Sequence, residues 1–235
     1  MKIVDPPEGG TIMVIAAHPD DMESWCSGTI ARANRAGLQS RLLLITSGDA
    51  GSSDRAATRP SVGATREEEA RLAAKILGLA DVEFLRVPDG EVEDTRALRA
   101  TLVGWIRRWR PRTVFTHDPE HPYPPYLAHR DHRITGRVVL DVIQLARDRL
   151  AFPEQAAAGL EAHAVCAAWL FSSTVADSLV DITGTIEVKI DARLAHDSQT
   201  PDPEQLREVW RRRARDIGAP GSVAFAEAFT VLDAN

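Results

Sequence analysis

The sequence is poor in several kinds of residue. Two cysteines among 235 residues cannot form the disulfide framework that stabilises small secreted domains. No apolar run approaches the roughly 20 residues of a transmembrane helix, and the N-terminal residues lack the apolar core of a signal peptide. We therefore expect a cytoplasmic protein without membrane insertion.

Basic residues are outnumbered, with 28 Lys and Arg against 34 Asp and Glu and a net charge of −6. Sequence-independent binding of nucleic acid needs a basic surface, so we expect a small molecule as the partner and no nucleic acid. The basic cluster 211–215 follows a helical pattern with acidic neighbours, which is typical of a solvated helix face. The sequence leaves open whether the chain forms a homo-oligomer.

Apolar residues make up 44% of the chain and charged residues 26%, as in ordinary globular proteins. No repeat or long linker interrupts the sequence, so we expect a single domain over residues 1–235. Its core sheet is expected over about 11–172, followed by a C-terminal strand and helix extension over about 173–235. Short apolar runs alternate with helical patterns, which predicts the α/β class. The expected architecture is a Rossmann-like, mostly parallel sheet with helices on both faces.

The individual elements follow from periodicity and from turn residues. Strands are predicted over 11–17, 41–46, 82–87, 113–116, 165–171 and 179–182. Helices are predicted over 28–36, 65–77, 94–109, 134–150, 184–197 and 203–217. Thr65 and Glu68 have the spacing of a capping box, which places the start of the second helix. In such a sheet the ligand lies at the carboxyl ends of the strands.

The first predicted strand is followed by His18-Pro19-Asp20-Asp21, where a dinucleotide-binding protein would have its glycine fingerprint. The fourth is followed by His117-Asp118-Pro119, a loop rich in Pro and Tyr, and then His129-Arg130-Asp131-His132 at the start of a helix. Both clusters follow strand ends, so both can reach one crevice.

Two imidazoles and one carboxylate are a ligand set of catalytic zinc sites. The natural assignment is His18, Asp21 and His132, with iron or manganese as other possible ions. Asp20 is then placed to take a proton from a metal-activated water molecule. His129 could stabilise an oxyanion or protonate a leaving amine, and Asp131 could fix the tautomer of a histidine.

Each motif alone has a plainer interpretation. A His-Pro-Asp turn commonly caps a helix, and a His-x-x-His pair commonly lies on a surface. Their joint placement after two strands of one sheet is what favours a metal site. Spacing alone leaves the two interpretations about equally supported.

Several ordered blocks resemble the zinc-dependent N-acetylglucosaminyl deacetylases of the PIG-L or LmbE-like family. Besides the two histidine motifs, these blocks are Gly28-Thr29-Ile30-Ala31, Thr65-Arg66-Glu67-Glu68-Glu69, Pro88-Asp89-Gly90, Val114-Phe115-Thr116-His117-Asp118-Pro119 and His196-Asp197-Ser198-Gln199. The resemblance spans nearly the whole chain. It implies a hydrolase that removes an N-acetyl or other N-acyl group from an amino sugar or its conjugate.

The resemblance also implies roles for individual residues. His18, Asp21 and His132 would bind zinc, and Asp20 would be the general base. His129 would stabilise the tetrahedral intermediate and act as the acid, tuned by Asp131. Two further positions, Arg66 and Asp89, match residues that hold sugar hydroxyls in relatives.

The chain departs from the family's usual Ala-His-Pro-Asp-Asp-Glu, because Met22 follows Asp21 and Glu23 comes one place later. Trp25 stands in a stretch where the family normally has small residues, and its ring could reshape the pocket or pack beneath the metal turn. Two alternatives therefore accompany the deacetylase prediction. One is a mycothiol-like thiol-conjugate amidase, and the other is a non-catalytic protein of the same fold that binds a sugar or nucleotide.

Overall fold

The strands within the described residues, 1–120 and 129–234, form one sheet of eight strands in this computed structural model. They are β1 (Lys2–Ile3), β2 (Thr11–Ala16), β3 (Gln39–Thr46), β4 (Asp81–Val87), β5 (Thr113–His117), β6 (Ala167–Phe171), β7 (Ser178–Asp181) and β8 (Ala226–Asp233). Their order is β1-β7-β8-β6-β5-β2-β3-β4. Only β8 runs antiparallel to its neighbours in this sheet. Most of the Pro- and Tyr-rich loop lies outside the described residues.

The helices cover both faces of the sheet. They are α1 (Asp21–Trp25), α2 (Ser27–Arg35), α3 (Arg59–Leu77), α4 (Arg96–Trp109), α5 (Arg130–Arg147), α6 (Pro153–Ala157), α7 (Ile186–Leu194) and α8 (Pro203–Gly218). Alternate residues of β2 enter two separate apolar cores. Ile12 and Val14 pack with α2, α3 and α7, whereas Met13 and Ile15 pack with α4 and α5. The predicted mostly parallel sheet with helices on both faces is therefore confirmed.

Several details differ from the sequence prediction, among them the short helices α1 and α6, which were not predicted. Helix α3 begins at Arg59 and not at Thr65, because the Thr58 side chain accepts a hydrogen bond from the Ser61 amide and Pro60 occupies its first turn. Strands β1 and β8 had no counterpart in the prediction. Both β7 and β8 lie in the expected C-terminal extension, yet they belong to the same sheet as the core strands.

The sheet changes direction of winding between β2 and β5. From β2 the chain continues outward through β3 and β4, and then returns to place β5 on the other side of β2. Such a switch point opens a crevice at the carboxyl ends of the two strands. None of the helices in the described part of the chain is both long and apolar enough to cross a membrane.

Candidate active site

The turn after β2 places two carboxylates beside a histidine. Asp20 adopts a left-handed conformation with φ of 91°, which Asp tolerates better than most side chains, and α1 starts at once with Asp21. The Asp21 carboxylate accepts a hydrogen bond of 2.8 Å from the His18 amide through Oδ2. This bond fixes Asp21 against the strand end, while Asp20 points elsewhere.

Helix α5 brings the second histidine motif to the same turn. His132 lies in the first turn of α5, and its Nε2 is 3.1 Å from both His18 Nδ1 and Asp21 Oδ1. His18 Nδ1 is 3.5 Å from Asp21 Oδ2. Nitrogen and oxygen ligands of a tetrahedral zinc ion lie roughly 3.3 Å from one another. The three residues expected to bind metal therefore lie side by side, with a different oxygen of Asp21 nearest to each histidine.

The other nitrogen of the His18 ring faces acids. Nε2 is 3.0 Å from Asp89 Oδ1 and 3.5 Å from Asp131 Oδ2. Metal-binding histidines characteristically direct their second nitrogen to a carboxylate in this way. Burial lowers the pKa of His18, but the hydrogen bonds to Asp131, Asp21 and Asp89 outweigh it and raise that pKa well above its usual range. The surrounding carboxylates thus favour a cation at this position.

His117, which ends β5, also contacts the site. Its Nε2 lies 3.1 Å from Asp21 Oδ2 and 3.2 Å from the main-chain nitrogen of Ala17, and its ring stacks on His132 with centroids 4.1 Å apart. Burial and the neighbouring His132 lower the pKa of His117 to about 4, so the ring is neutral at neutral pH. The Ala17 N–H donates to Nε2, so the neutral ring carries its proton on Nδ1, and His117 packs against Asp21 and His132 at the base of the site.

Asp20 is held by two arginines from separate helices. Its Oδ1 is 3.6 Å from Arg66 of α3, and its Oδ2 is 3.3 Å from Arg193 of α7. Arg66 also donates to the carbonyls of Pro19 and Gly48, and Arg193 to Thr200 and Gln199. Burial raises the pKa of Asp20 above its ordinary value against the opposing effect of the two arginines. The carboxylate is therefore a stronger base than an exposed one.

His129 caps α5. Its Nδ1 accepts a hydrogen bond of 3.2 Å from the Asp131 amide, so the neutral ring carries its proton on Nε2. Burial and the neighbouring His18 and His132 hold the pKa of His129 below its usual value. The Nε2–H of His129 is therefore suited to donate a hydrogen bond. The Asp131 carboxylate, which is fully buried, faces His18 and accepts from the Gly90 amide at 2.7 Å.

The expected sugar-binding pair is divided between two environments. The Arg66 guanidinium is buried behind the metal turn, whereas Asp89 lies beside His18. Sequence reasoning assigned no role to Arg193, because nothing in the chain near it indicates a contact with Asp20. Its position beside the His196-Asp197-Ser198-Gln199 block was the only available signal.

The departures from the family motif pack away from the ligand atoms. Met22 is fully buried in the core, and Glu23 lies 3.5 Å from the buried His196. The Trp25 ring stacks with the Arg213 guanidinium of α8 at 3.8 Å from its centroid. The contacts described for these three residues do not involve the three candidate ligands.

Residues 13–143, more than half of the chain, match the family model described as PIG-L, GlcNAc-PI de-N-acetylase. The chain belongs to the PIG-L family. Family membership and the geometry of the site agree, because both histidine motifs lie within the matched range. The resemblance inferred from the sequence blocks is thereby confirmed.

Among PIG-L relatives, the diacetylchitobiose deacetylase of Thermococcus kodakarensis is 32% identical over 206 residues, which are 88% of this chain and 75% of the relative. A probable N-acetyl-alpha-D-glucosaminyl L-malate deacetylase of Bacillus anthracis is 30% identical over 138 residues, 56% of this chain and 58% of the relative. The structure of N,N'-diacetylchitobiose deacetylase from Pyrococcus horikoshii with its inhibitor MPG superposes with a TM-score of 0.90 at 27% identity, covering 96% of this chain and 84% of that one. The expected class of enzyme, an amide-hydrolysing deacetylase, is confirmed.

Proposed function

We propose that this protein is a zinc-dependent deacetylase that removes the N-acetyl group from an N-acetylglucosaminide. The observation that carries the proposal is the close approach of three side chains, with the two imidazoles 3.1 Å apart and each within 3.5 Å of one Asp21 oxygen, beside the partly buried Asp20 carboxylate, which is not part of the set. The likeness to a diacetylchitobiose deacetylase over most of both chains supports the amino-sugar substrate. Two free cysteines are consistent with a cytoplasmic location.

His18, Asp21 and His132 would hold the metal. When bound, zinc would supply a water molecule of lowered pKa and polarise the amide carbonyl. The carboxylates around His18 suit such an ion, because they favour positive charge at this position. We favour zinc over iron or manganese because two imidazoles and one carboxylate are a common zinc set.

Asp20 would act as the general base. Its raised pKa favours accepting a proton from the attacking water, and its two arginine partners keep the carboxylate in one orientation. The same proton can later pass to the departing amine. The amide C–N bond breaks as the amine leaves with this proton, and acetate is the second product.

His129 would donate its Nε2–H to the oxygen of the amide carbonyl, where negative charge develops. To act as an acid, His129 would first have to be protonated at Nδ1, which would break the hydrogen bond that caps α5. We therefore assign His129 mainly the role of a neutral hydrogen-bond donor to the carbonyl oxygen. Asp131 would orient His18 and the Gly90 segment. Asp89 and Arg66 remain our candidates for contacts with sugar hydroxyls, Asp89 directly beside the site.

The test is release of primary amine from N-acetylglucosamine and N,N'-diacetylchitobiose by the zinc-loaded protein. We expect release that stops when a chelator removes the metal and returns when zinc is added back. A sugar-binding protein without chemistry would release no amine at any metal concentration. A thiol-conjugate amidase would cleave a bulky N-acyl glucosaminide in preference to both acetylated sugars.

A further inference from the structure

The basic cluster 211–215 of helix α8 is divided between two environments. Arg211 pairs with Glu187 of α7 at 2.6 Å. Within residues 1–120 and 129–234, neither Arg212 nor Arg213 has a carboxylate at ion-pair distance. Arg212 is exposed, whereas Arg213 is half-buried. The solvated helix face expected from the sequence therefore does not include Arg213.

The Arg213 guanidinium lies over an aromatic ring. Its Cζ is 3.8 Å from the centre of the Trp25 ring, at the end of α1. A guanidinium in this position keeps the N–H groups at its edge available for oxygen atoms. Burial lowers the pKa of Arg213, and Glu227, whose carboxylate binds Lys189 at 2.6 Å, opposes this shift only from a distance. In the described part of the chain, this half-buried cation thus has no anionic partner.

Both arginines line a cavity of about 490 Å³. It is bounded by α8, by the last residue of α1, by β8 and by two serines that follow β6. Apolar side chains form part of its wall, among them Trp25, Val209 and Ile217, and Asp216 is the single acid among the described residues that line it. The volume falls within the range for small-molecule pockets, roughly 300–1,000 Å³. None of the residues proposed to bind metal or to act on the amide lines it.

The wall selects for one kind of ligand. Two guanidinium groups and one carboxylate leave a single excess positive charge, which suits a monoanion better than a phosphate dianion. A planar carboxylate matches the edge of a guanidinium and can accept two parallel hydrogen bonds from it. The apolar side chains would contact a hydrocarbon body, and an uncharged sugar would leave the cation of Arg213 without a partner.

We propose that this cavity is a second ligand site, separate from the amide-hydrolysing centre, and that it binds the carboxylate of a small monocarboxylic acid with an aromatic or aliphatic body. Arg213 would hold the carboxylate, and Trp25 would position the guanidinium. The site also accounts for two sequence features that the family likeness leaves unexplained, the bulky Trp25 and the basic cluster. The assignment is independent of the proposed deacetylase activity.

The test is calorimetric titration of the zinc-loaded protein with four carboxylates, namely benzoate, 3-phenylpropionate, 1-naphthoate and octanoate. We expect at least one of them to bind saturably, and its neutral primary amide to bind at least about tenfold more weakly. Arg213→Gln should weaken the same carboxylate at least about tenfold. Arg215→Gln is the matched control, because Arg215 is exposed on the same helix and does not line the cavity, and its affinity should equal that of the wild type.

A second variant tests the cavity without removing a charge. Ala228 lines the cavity from β8, so Ala228→Leu would fill part of it and should also weaken binding. Circular dichroism checks that the variants fold, and Ala228→Leu decides the matter if Arg213→Gln does not.

Four results would overturn the proposal. One is the absence of saturable binding by all four carboxylates at millimolar concentration. Another is unchanged affinity in both Arg213→Gln and Ala228→Leu, as carboxylates bound at the zinc ion would show. Tighter binding of phenyl phosphate than of benzoate would contradict the assignment to a carboxylate. Dissociation of an oligomer in Arg213→Gln, measured by light scattering, would assign the cavity wall to an interface between copies of the chain.

Discussion

At the scale of single residues, the orientation of Asp20 depends on long-range contacts. Arg66 and Arg193 approach opposite oxygens of its carboxylate from two helices that are far apart in the chain. Asp20 itself has a left-handed backbone conformation, so the turn alone does not keep the side chain in one direction. The two guanidinium groups supply that constraint.

Removing one of the two guanidinium groups that contact Asp20 should lower kcat more than it changes KM. We expect Arg193→Gln to reduce kcat by about tenfold to a hundredfold, because a small displacement of a reacting group has effects of this size. KM and zinc content should remain near those of the wild type, and Arg193→Lys should recover part of the loss. Steady-state kinetics with metal analysis measure these quantities, and Arg207→Gln on the exposed face of α8 is the control.

Wild-type kcat in Arg193→Gln would contradict a positioning role. A loss of zinc together with activity would point instead to a collapse of the metal turn. The readout that separates the two is the partial recovery by lysine at unchanged zinc content.

The candidate ligands could be predicted because their spacing is local. His18 and Asp21 share one turn, and His132 opens the helix after a neighbouring strand, so the strand pattern suffices to bring them together. The contact of Arg193 with Asp20 depends on how α7 packs against the turn, which no local pattern encodes. The contact of His117 with Asp21 could not be predicted for the same reason, since it depends on the register of β5 beside β2.

At the scale of elements, β8 shows why part of the fold was missed. Its residue Glu227 breaks the apolar pattern of a strand, yet it is only 3% exposed. The carboxylate accepts hydrogen bonds from the Gly28 and Thr29 amides at the start of α2, and from Lys189 at 2.6 Å. The sequence alone does not predict that an acid is buried in this strand, because its three hydrogen-bond donors come from distant parts of the chain.

Removing one member of the buried Glu227–Lys189 ion pair should destabilise the protein strongly. We expect Glu227→Gln to lower the free energy of unfolding by about 3 kcal/mol, because it leaves the buried ammonium of Lys189 without a counter-charge. Denaturant titration measures the change. Glu187→Gln, which removes a solvent-exposed pair with Arg211, should cost far less and serves as the control.

A double variant with Lys189→Met tests the same pair by its coupling. The combined loss should be smaller than the sum of the two single losses, since removing both charges leaves none unpaired. Additive losses would contradict the account of Glu227 and Lys189 as one buried unit.

At the scale of the whole molecule, the strand order assembles the site. Because β5 returns to the side of β2 opposite β3, the turn after β2 and the start of α5 meet over one crevice. The alternation of strands and helices predicted that both histidine motifs lie at the carboxyl edge of one sheet, but it did not predict the strand order. The antiparallel β8 and the early start of α3 were not predictable in the same way, because they depend on a buried acid and on an unrecognised cap at Thr58.

The central claim is that a bound metal and Asp20 act together on an amide, and Asp20→Asn tests it most directly. Zinc content and amine release are measured on the same sample of this variant and of the wild type. The account predicts about one zinc ion per chain in both, with turnover in the variant lower by roughly 10² to 10⁴. Near-normal turnover at full zinc occupancy would contradict it.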